Sequence, residues 1–191
     1  MYVSLLPQRL YILLSLFLHL SAATEALQVH FWLHGGIRTF VSEPQPLAMG
    51  HEASGIVNAV GTAVTTLTPG DRVAIETGYP CRHCEPCKAG RYKLCLEMKF
   101  AADPLRLHGT LAKYFRLPAD FCYKIPNDVP LAEAVLVEPL AVSMHTVRLA
   151  DVKPGQRAVI FGAGTVGLLC GAVAREFGAA TVISVDLVQE N

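Results

Sequence analysis

At 191 residues the chain is long enough for one large domain or two small ones, and 52% of its residues are hydrophobic. Its 16 basic and 16 acidic residues cancel and are interspersed, which excludes a strong electrostatic footprint for nucleic acid or an anionic membrane. A small, largely neutral ligand fits this balance better.

The N-terminus reads differently from the rest. Leu10 to Leu20 is an apolar run broken only by Ser15 and His19, and Ser21-Ala22-Ala23 follows it like a cleavage site. The run is too short to span a bilayer comfortably. Residues 1–26 are therefore expected to be a signal-like or aberrant segment outside the folded domains, with secretory targeting as its consequence. From Val29 the texture becomes that of a soluble fold. His30 and His34 lie in a mixed polar and aromatic stretch ending at Gly35-Gly36 and read as surface groups.

Between Leu47 and Ile75, short β-branched runs separated by Gly, Pro and Asp predict an all-β unit with tight turns, such as a small barrel. His51 and Glu52 either begin a strand or, where the backbone is irregular, face one ion together, because neighbouring strand side chains point opposite ways. Cys81, Cys84, Cys87 and Cys95 then give C-x2-C-x2-C-x7-C. Four soft thiolates on one loop can close a tetrahedron around zinc and leave no position for substrate, so this spacing predicts a structural zinc lobe at 81–95. His83, Lys88, Arg91 and Lys93 offset part of the thiolate charge, while Cys122 and Cys170 stand alone in apolar surroundings and read as core.

Gly109 to Leu117 and Phe121 to Pro126 alternate like strands, and Pro130 onward begins a helix that is expected to break at Pro139. Glu138 sits at that break in an apolar sequence, where a carboxylate needs a cation, a metal or a backbone N–H. His145 reads as packing. The turn-rich stretch Asp151 to Gln156 places the domain boundary, giving residues 27–150 and 151–191.

The second of these opens with Ala158-Val-Ile-Phe-Gly162-Ala-Gly164-Thr-Val-Gly167, followed by a helical pattern and by Thr181-Val-Ile-Ser-Val-Asp186. A strand, a G-x-G-x-x-G turn, a helix and a second strand ending in an acid about 20 residues on form a dinucleotide fingerprint. Gly162 makes the tight turn, Gly164 admits the pyrophosphate and Gly167 lets the helix approach the strand. Asp186 would accept hydrogen bonds from both ribose hydroxyls and repel a 2′-phosphate, which selects NAD over NADP.

Gly50-His51-Glu52, the four cysteines, Val137-Glu138-Pro139-Leu140 and the glycine turn together resemble the zinc-dependent medium-chain alcohol dehydrogenase family, in its polyol branch of sorbitol and xylitol (D-xylulose reductase) dehydrogenases. The resemblance runs from about Val29 to Asp186. It implies an α+β and α/β architecture: a GroES-like β domain lacking its N-terminal part, then a truncated Rossmann domain, with a catalytic zinc in the cleft between them. It implies His51 as a direct catalytic-zinc ligand, Glu52 as a carboxylate ligand or near neighbour of that zinc, and Glu138 as the carboxylate holding zinc-bound water or the substrate hydroxyl. Val166 would touch the cofactor. The implied reaction is NAD-dependent oxidation of xylitol to D-xylulose or of sorbitol to fructose, by a cytoplasmic homo-oligomer, a tetramer in the family. Glu25 stands where the family has a zinc-ligating cysteine, and Phe31 where it has a tyrosine near the substrate. The alternative expectation is a catalytically inactive zinc-binding fragment.

Overall fold

The structure is a computed structural model that describes the backbone of residues 11–17 and residues 31, 33–36, 41, 46–104 and 106–187 in full. His30 and Glu25 lie outside the described residues. The chain divides into two compact units, Met1–Val135 and Leu136–Asn191.

In the first unit, β1 (Tyr11–Phe17), β2 (Ser54–Val60), β3 (Arg72–Ile75), β6 (Tyr114–Pro118) and β7 (Cys122–Lys124) form one antiparallel sheet in the order β6-β1-β2-β3-β7. Strand β1 comes from the run expected to lie outside the fold. Leu16 pairs with Gly55 on one side and Ile12 with Leu117 on the other, so this segment is part of the sheet. The physical reason is that a seven-residue apolar run has the length of a buried strand as well as that of a short leader core, and periodicity alone does not separate them. A bulge between Leu13 and Leu14 skips Asn58 on β2.

The β2–β3 connection is the expected turn: Gly70, at φ 95°, gives its N–H to Val57, and the Asp71 carboxylate accepts from the Thr68 amide at 2.7 Å. Val57, Val73, Ile75, Phe115, Leu117 and Phe121 form the core behind the sheet. Val73 and Leu117 are wholly buried, each contributing on the order of 2 kcal/mol by area. Residues 109–113, expected to be strand, are irregular, and β6 begins only at Tyr114. The ribbon of β4 (Gly78–Tyr79) and β5 (Lys99–Phe100) closes the base of the cysteine lobe, which carries the one-turn helix α1 (Glu85–Lys88). Helix α2 (Leu131–Ala134) ends the unit, and its Leu131 carbonyl accepts from the buried Ser54 hydroxyl at 2.7 Å.

The second unit holds α3 (Val137–Leu149), β8 (Arg157–Phe161), α4 (Thr165–Glu176) and β9 (Thr181–Val185), with β8 and β9 parallel. Val147 of α3 shares a core with Cys170, Val173 and Ala174 of α4, so α3 belongs with the nucleotide-type unit. Contacts thus divide the chain at Val135/Leu136, ahead of the turn-rich stretch that marked the boundary in sequence. The helix break also falls earlier than expected, at Val135–Leu136. Pro139 lies in the first turn of α3, where its missing N–H has no intrahelical partner to lose. His145, read as packing, is exposed. No helix among the described residues is long and apolar enough to cross a membrane.

Candidate metal and dinucleotide sites

The cysteine lobe is built by turns rather than by a core. Arg82 adopts φ 71°, a left-handed conformation that costs a side-chain-bearing residue about 1 kcal/mol, and it folds Cys84 back toward Cys81. Pro86 in the first turn of α1 and the 3-10 turn Tyr92–Leu94 then present Cys87 and Cys95. All four sulfurs lie within 4.8 Å of one another. Cys81 Sγ stands 3.9 Å from Cys87 Sγ, and Cys84 Sγ 3.2 Å from Cys87 Sγ. A tetrahedral zinc with bonds near 2.3 Å separates its sulfurs by about 3.8 Å, so the cluster fits that ion without rebuilding.

Amides already point at the sulfurs, from Cys81 to Cys95 and from Cys84 to Cys81, each at 3.4 Å. Burial raises the Cys81 thiol, but hydrogen bonds from the His83 and Cys84 amides and the neighbouring thiols override it and bring it to about 6. Burial and the proton shared with Cys84 push Cys87 up to about 12. A thiolate is thus favoured at Cys81 near neutral pH, and a bound metal must displace the proton held at Cys87.

His51 and Glu52 lie at the entrance to β2. The backbone there is irregular, the condition under which both side chains can serve one ion. Gly50 has φ 95°, and a Cβ on it would stand 2.7 Å from the Thr110 hydroxyl. Gly109 crosses so close to Met49 and Gly50 that no side chain fits it. Thr110 and Leu111 return their N–H groups to Gly50 and Met49 at 2.8 Å. Two residues the sequence did not single out fix His51. The buried Thr77 hydroxyl donates to the His51 carbonyl at 2.6 Å, and the Phe100 ring packs 5.4 Å from the imidazole. Burial lowers the His51 pKa, with Glu52 opposing, so a neutral ring with a free lone pair is favoured. Glu52 is buried. An imidazole beside a buried carboxylate is a donor set that a divalent ion satisfies. Glu138 belongs to the second unit, in the first turn of α3, and is half-buried.

In the second unit, β8 ends at Phe161 and Gly162 turns at φ 101°. Gly164 is the residue before α4, with extended backbone and open space where a Cβ would stand. A Cβ on Gly167 would overlap the Gly162 carbonyl oxygen. Leu168 is the first residue of the helix to bond back, to Gly164, which leaves the preceding amides of the turn outside the helical ladder. Asp186 follows β9, and its carboxylate accepts from the Ala163 amide at 2.6 Å. The acid and the turn it was assigned to are therefore adjacent. Val166 is exposed in the first turn of α4. The fully buried Ser143 hydroxyl lies 3.3 Å from the Val166 carbonyl and 2.9 Å from that of Pro139, tying α4 to α3; a lone Ser in an apolar helix gave no sign of this role.

Comparison with known proteins agrees with this geometry. The alcohol dehydrogenase GroES-like domain matches residues 22–127, beginning upstream of Val29. The "Probable D-xylulose reductase A" of Aspergillus terreus is 60% identical over 159 residues, which cover 83% of this chain and 44% of the relative. The chain thus spans less than half the length of that curated relative. Among solved structures, an Escherichia coli oxidoreductase/dehydrogenase of unknown specificity matches with TM-score 0.84 at 36% identity, covering 96% of this chain and 52% of the other. Galactitol-1-phosphate dehydrogenase from Escherichia coli matches with TM-score 0.80 at 28% identity, covering 99% and 52%. With half its length matched by the domain pattern and its turns, cysteine lobe and β–α–β unit laid out as above, the chain belongs to the zinc-dependent medium-chain alcohol dehydrogenase family.

Proposed function

We propose that the protein oxidises a polyol, xylitol first and sorbitol second, by hydride transfer to NAD in the cytoplasm. The observation that carries this reading is the glycine turn with Asp186 bonded against it, in a chain 60% identical to a D-xylulose reductase. His51 and Glu52 would hold the catalytic zinc, and Glu138 would supply the carboxylate that orients the substrate hydroxyl. Bound there, zinc supplies a Lewis acid for the alcohol oxygen and NAD the hydride acceptor. The burial that lowers the His51 pKa favours the neutral ring, whose lone pair a metal would take, while Thr77 holds the His51 backbone carbonyl and Phe100 packs against the ring. In the dinucleotide site, the open space over Gly164 would admit the pyrophosphate, and the amides at the start of α4 that lie outside the helical ladder would donate to its oxygens. Asp186 would accept from the ribose hydroxyls, where a 2′-phosphate would meet its negative charge.

The test is NADH formation by zinc-loaded protein supplied with xylitol and NAD. Activity is expected with NAD and not with NADP, and His51→Ala is expected to lower kcat by roughly a thousandfold or more through loss of the metal. Soluble, zinc-replete protein that reduces no NAD with any polyol would favour the alternative of an inactive zinc-binding protein.

A further inference from the structure

Beside the tetrathiolate cluster lies a second group of metal-binding atoms that the proposed reaction does not use. The Cys81 sulfur, a His83 ring nitrogen and a Glu97 carboxylate oxygen lie within 4.8 Å of one another. The ring's orientation is informative. His83 Nδ1 lies 2.9 Å from the Cys81 carbonyl oxygen, which can only accept, so Nδ1 carries the proton and Nε2 is the nitrogen left for a ligand. A metal-ligating histidine characteristically spends its other N–H on a carbonyl in this way. Nε2 stands 3.7 Å from Glu97 Oε2, close to the roughly 3.4 Å that separates two donors on one tetrahedral ion with bonds near 2.1 Å.

Charge favours a further cation here. Four thiolates around one divalent ion leave a formal excess of about two negative charges. Lys88, Arg91 and Lys93 offset part of this charge and Lys99 lines the same cleft, while Arg82 is engaged by Asp120 at 2.7 Å and Arg91 by Glu85 at 3.3 Å. A cleft of about 790 Å³ is lined by Cys81, His83 and Glu97 and gives a hydrated ion a route in.

We propose that Cys81, His83 and Glu97 form an auxiliary site for a second zinc or similar transition-metal ion, which shares the Cys81 thiolate with the structural zinc. Three protein donors leave one position for water. His83 and Glu97 are 71% and 67% exposed, so binding must fix two solvent-facing side chains, and the site loads reversibly while the tetrathiolate site stays filled. This site is independent of the catalytic reading.

The test uses the full chain, loaded with zinc and dialysed to constant content, then equilibrated with increasing free zinc chloride. Wild type is expected to take up about one further zinc per chain in the micromolar range. H83A and E97Q should each weaken that step by tenfold or more while retaining the zinc held after dialysis. Cobalt(II) added to the zinc-loaded chain should give a thiolate-to-metal absorption band that H83A loses. No extra zinc in wild type, uptake unchanged in both variants, or a cobalt band of equal strength in H83A would each overturn the proposal, leaving His83 and Glu97 as a surface ion pair.

Discussion

Replacing Cys87 by serine is expected to strip the structural zinc and unfold the lobe between β4 and β5. The lobe has little else to hold it: neither α1 nor the 3-10 turn Tyr92–Leu94 contains a buried residue. Structural zinc supplies an apparent ~10–16 kcal/mol in zinc-finger peptides, comparable with the ~5–15 kcal/mol stability of a whole domain. The loss should not stop at the lobe. Tyr92 packs edge-on against Phe121 of the core at 6.1 Å, and both Tyr92 and Tyr123 donate to the Glu76 carboxylate, at 3.1 and 3.0 Å. Freeing Tyr92 uncovers part of that core. A fall in Tm of roughly 10 °C or more and loss of about one zinc per chain are the expected readings. A chelator should reproduce the fall in wild type, and a thiol reductant should not. Serine-substituted protein with unchanged zinc content and Tm would remove the structural-zinc reading.

Gly167→Ala is expected to be the most damaging single-methyl change in the second unit. The added carbon would occupy the place of the Gly162 carbonyl oxygen, and that oxygen belongs to backbone held by the Gly162 N–H to Val185 bond at 2.7 Å. Neither side can yield without opening the turn or lifting α4 off β8. The expected cost is about 3 kcal/mol or more, at the overpacked end of core substitutions. Gly171, one turn further along, is the control. A Cβ there would meet Ile160 and Val182 at 3.4 Å, an ordinary contact, so Gly171→Ala should be neutral or slightly stabilising through helix propensity. Denaturant midpoints of the two variants give the comparison. Equal midpoints would mean that helix and strand do not approach at Gly167 as described.

The two features most legible in the sequence were those whose chemistry is local. Cysteine spacing over 81–95 specifies a loop that can wrap one ion, and the glycine turn places Gly162, Gly164 and Gly167 within one reversal of the chain. Asp186 was readable because a strand of ordinary length carries it back to the turn, and the Ala163 amide meets it there. What the sequence left obscure depends on distant partners. Tyr11–Phe17 is apolar enough for a leader, and only pairing with Gly55 and Leu117 makes it a strand. Pro139 looked like the helix break because proline removes a donor. In the first turn there is no bond to remove, so the chain turns earlier, at Val135–Leu136, and α3 packs with α4. The support of His51 by Thr77 and Phe100, and the crossing of Gly50 by Gly109, join residues far apart in sequence and leave no periodic trace.

The central claim is that the second unit binds NAD through its glycine turn, and Gly164 tests it most directly. A methyl group there meets nothing in the protein within 4 Å, and the backbone is extended, so Gly164→Ala should fold with unchanged circular dichroism and Tm. The space it fills is the space assigned to the pyrophosphate. Calorimetric titration of NAD into zinc-loaded protein is expected to show saturable binding, on the order of micromolar, that Gly164→Ala weakens by roughly tenfold or more. Equal affinity in the two proteins, or no NAD binding by folded wild type, would contradict the account.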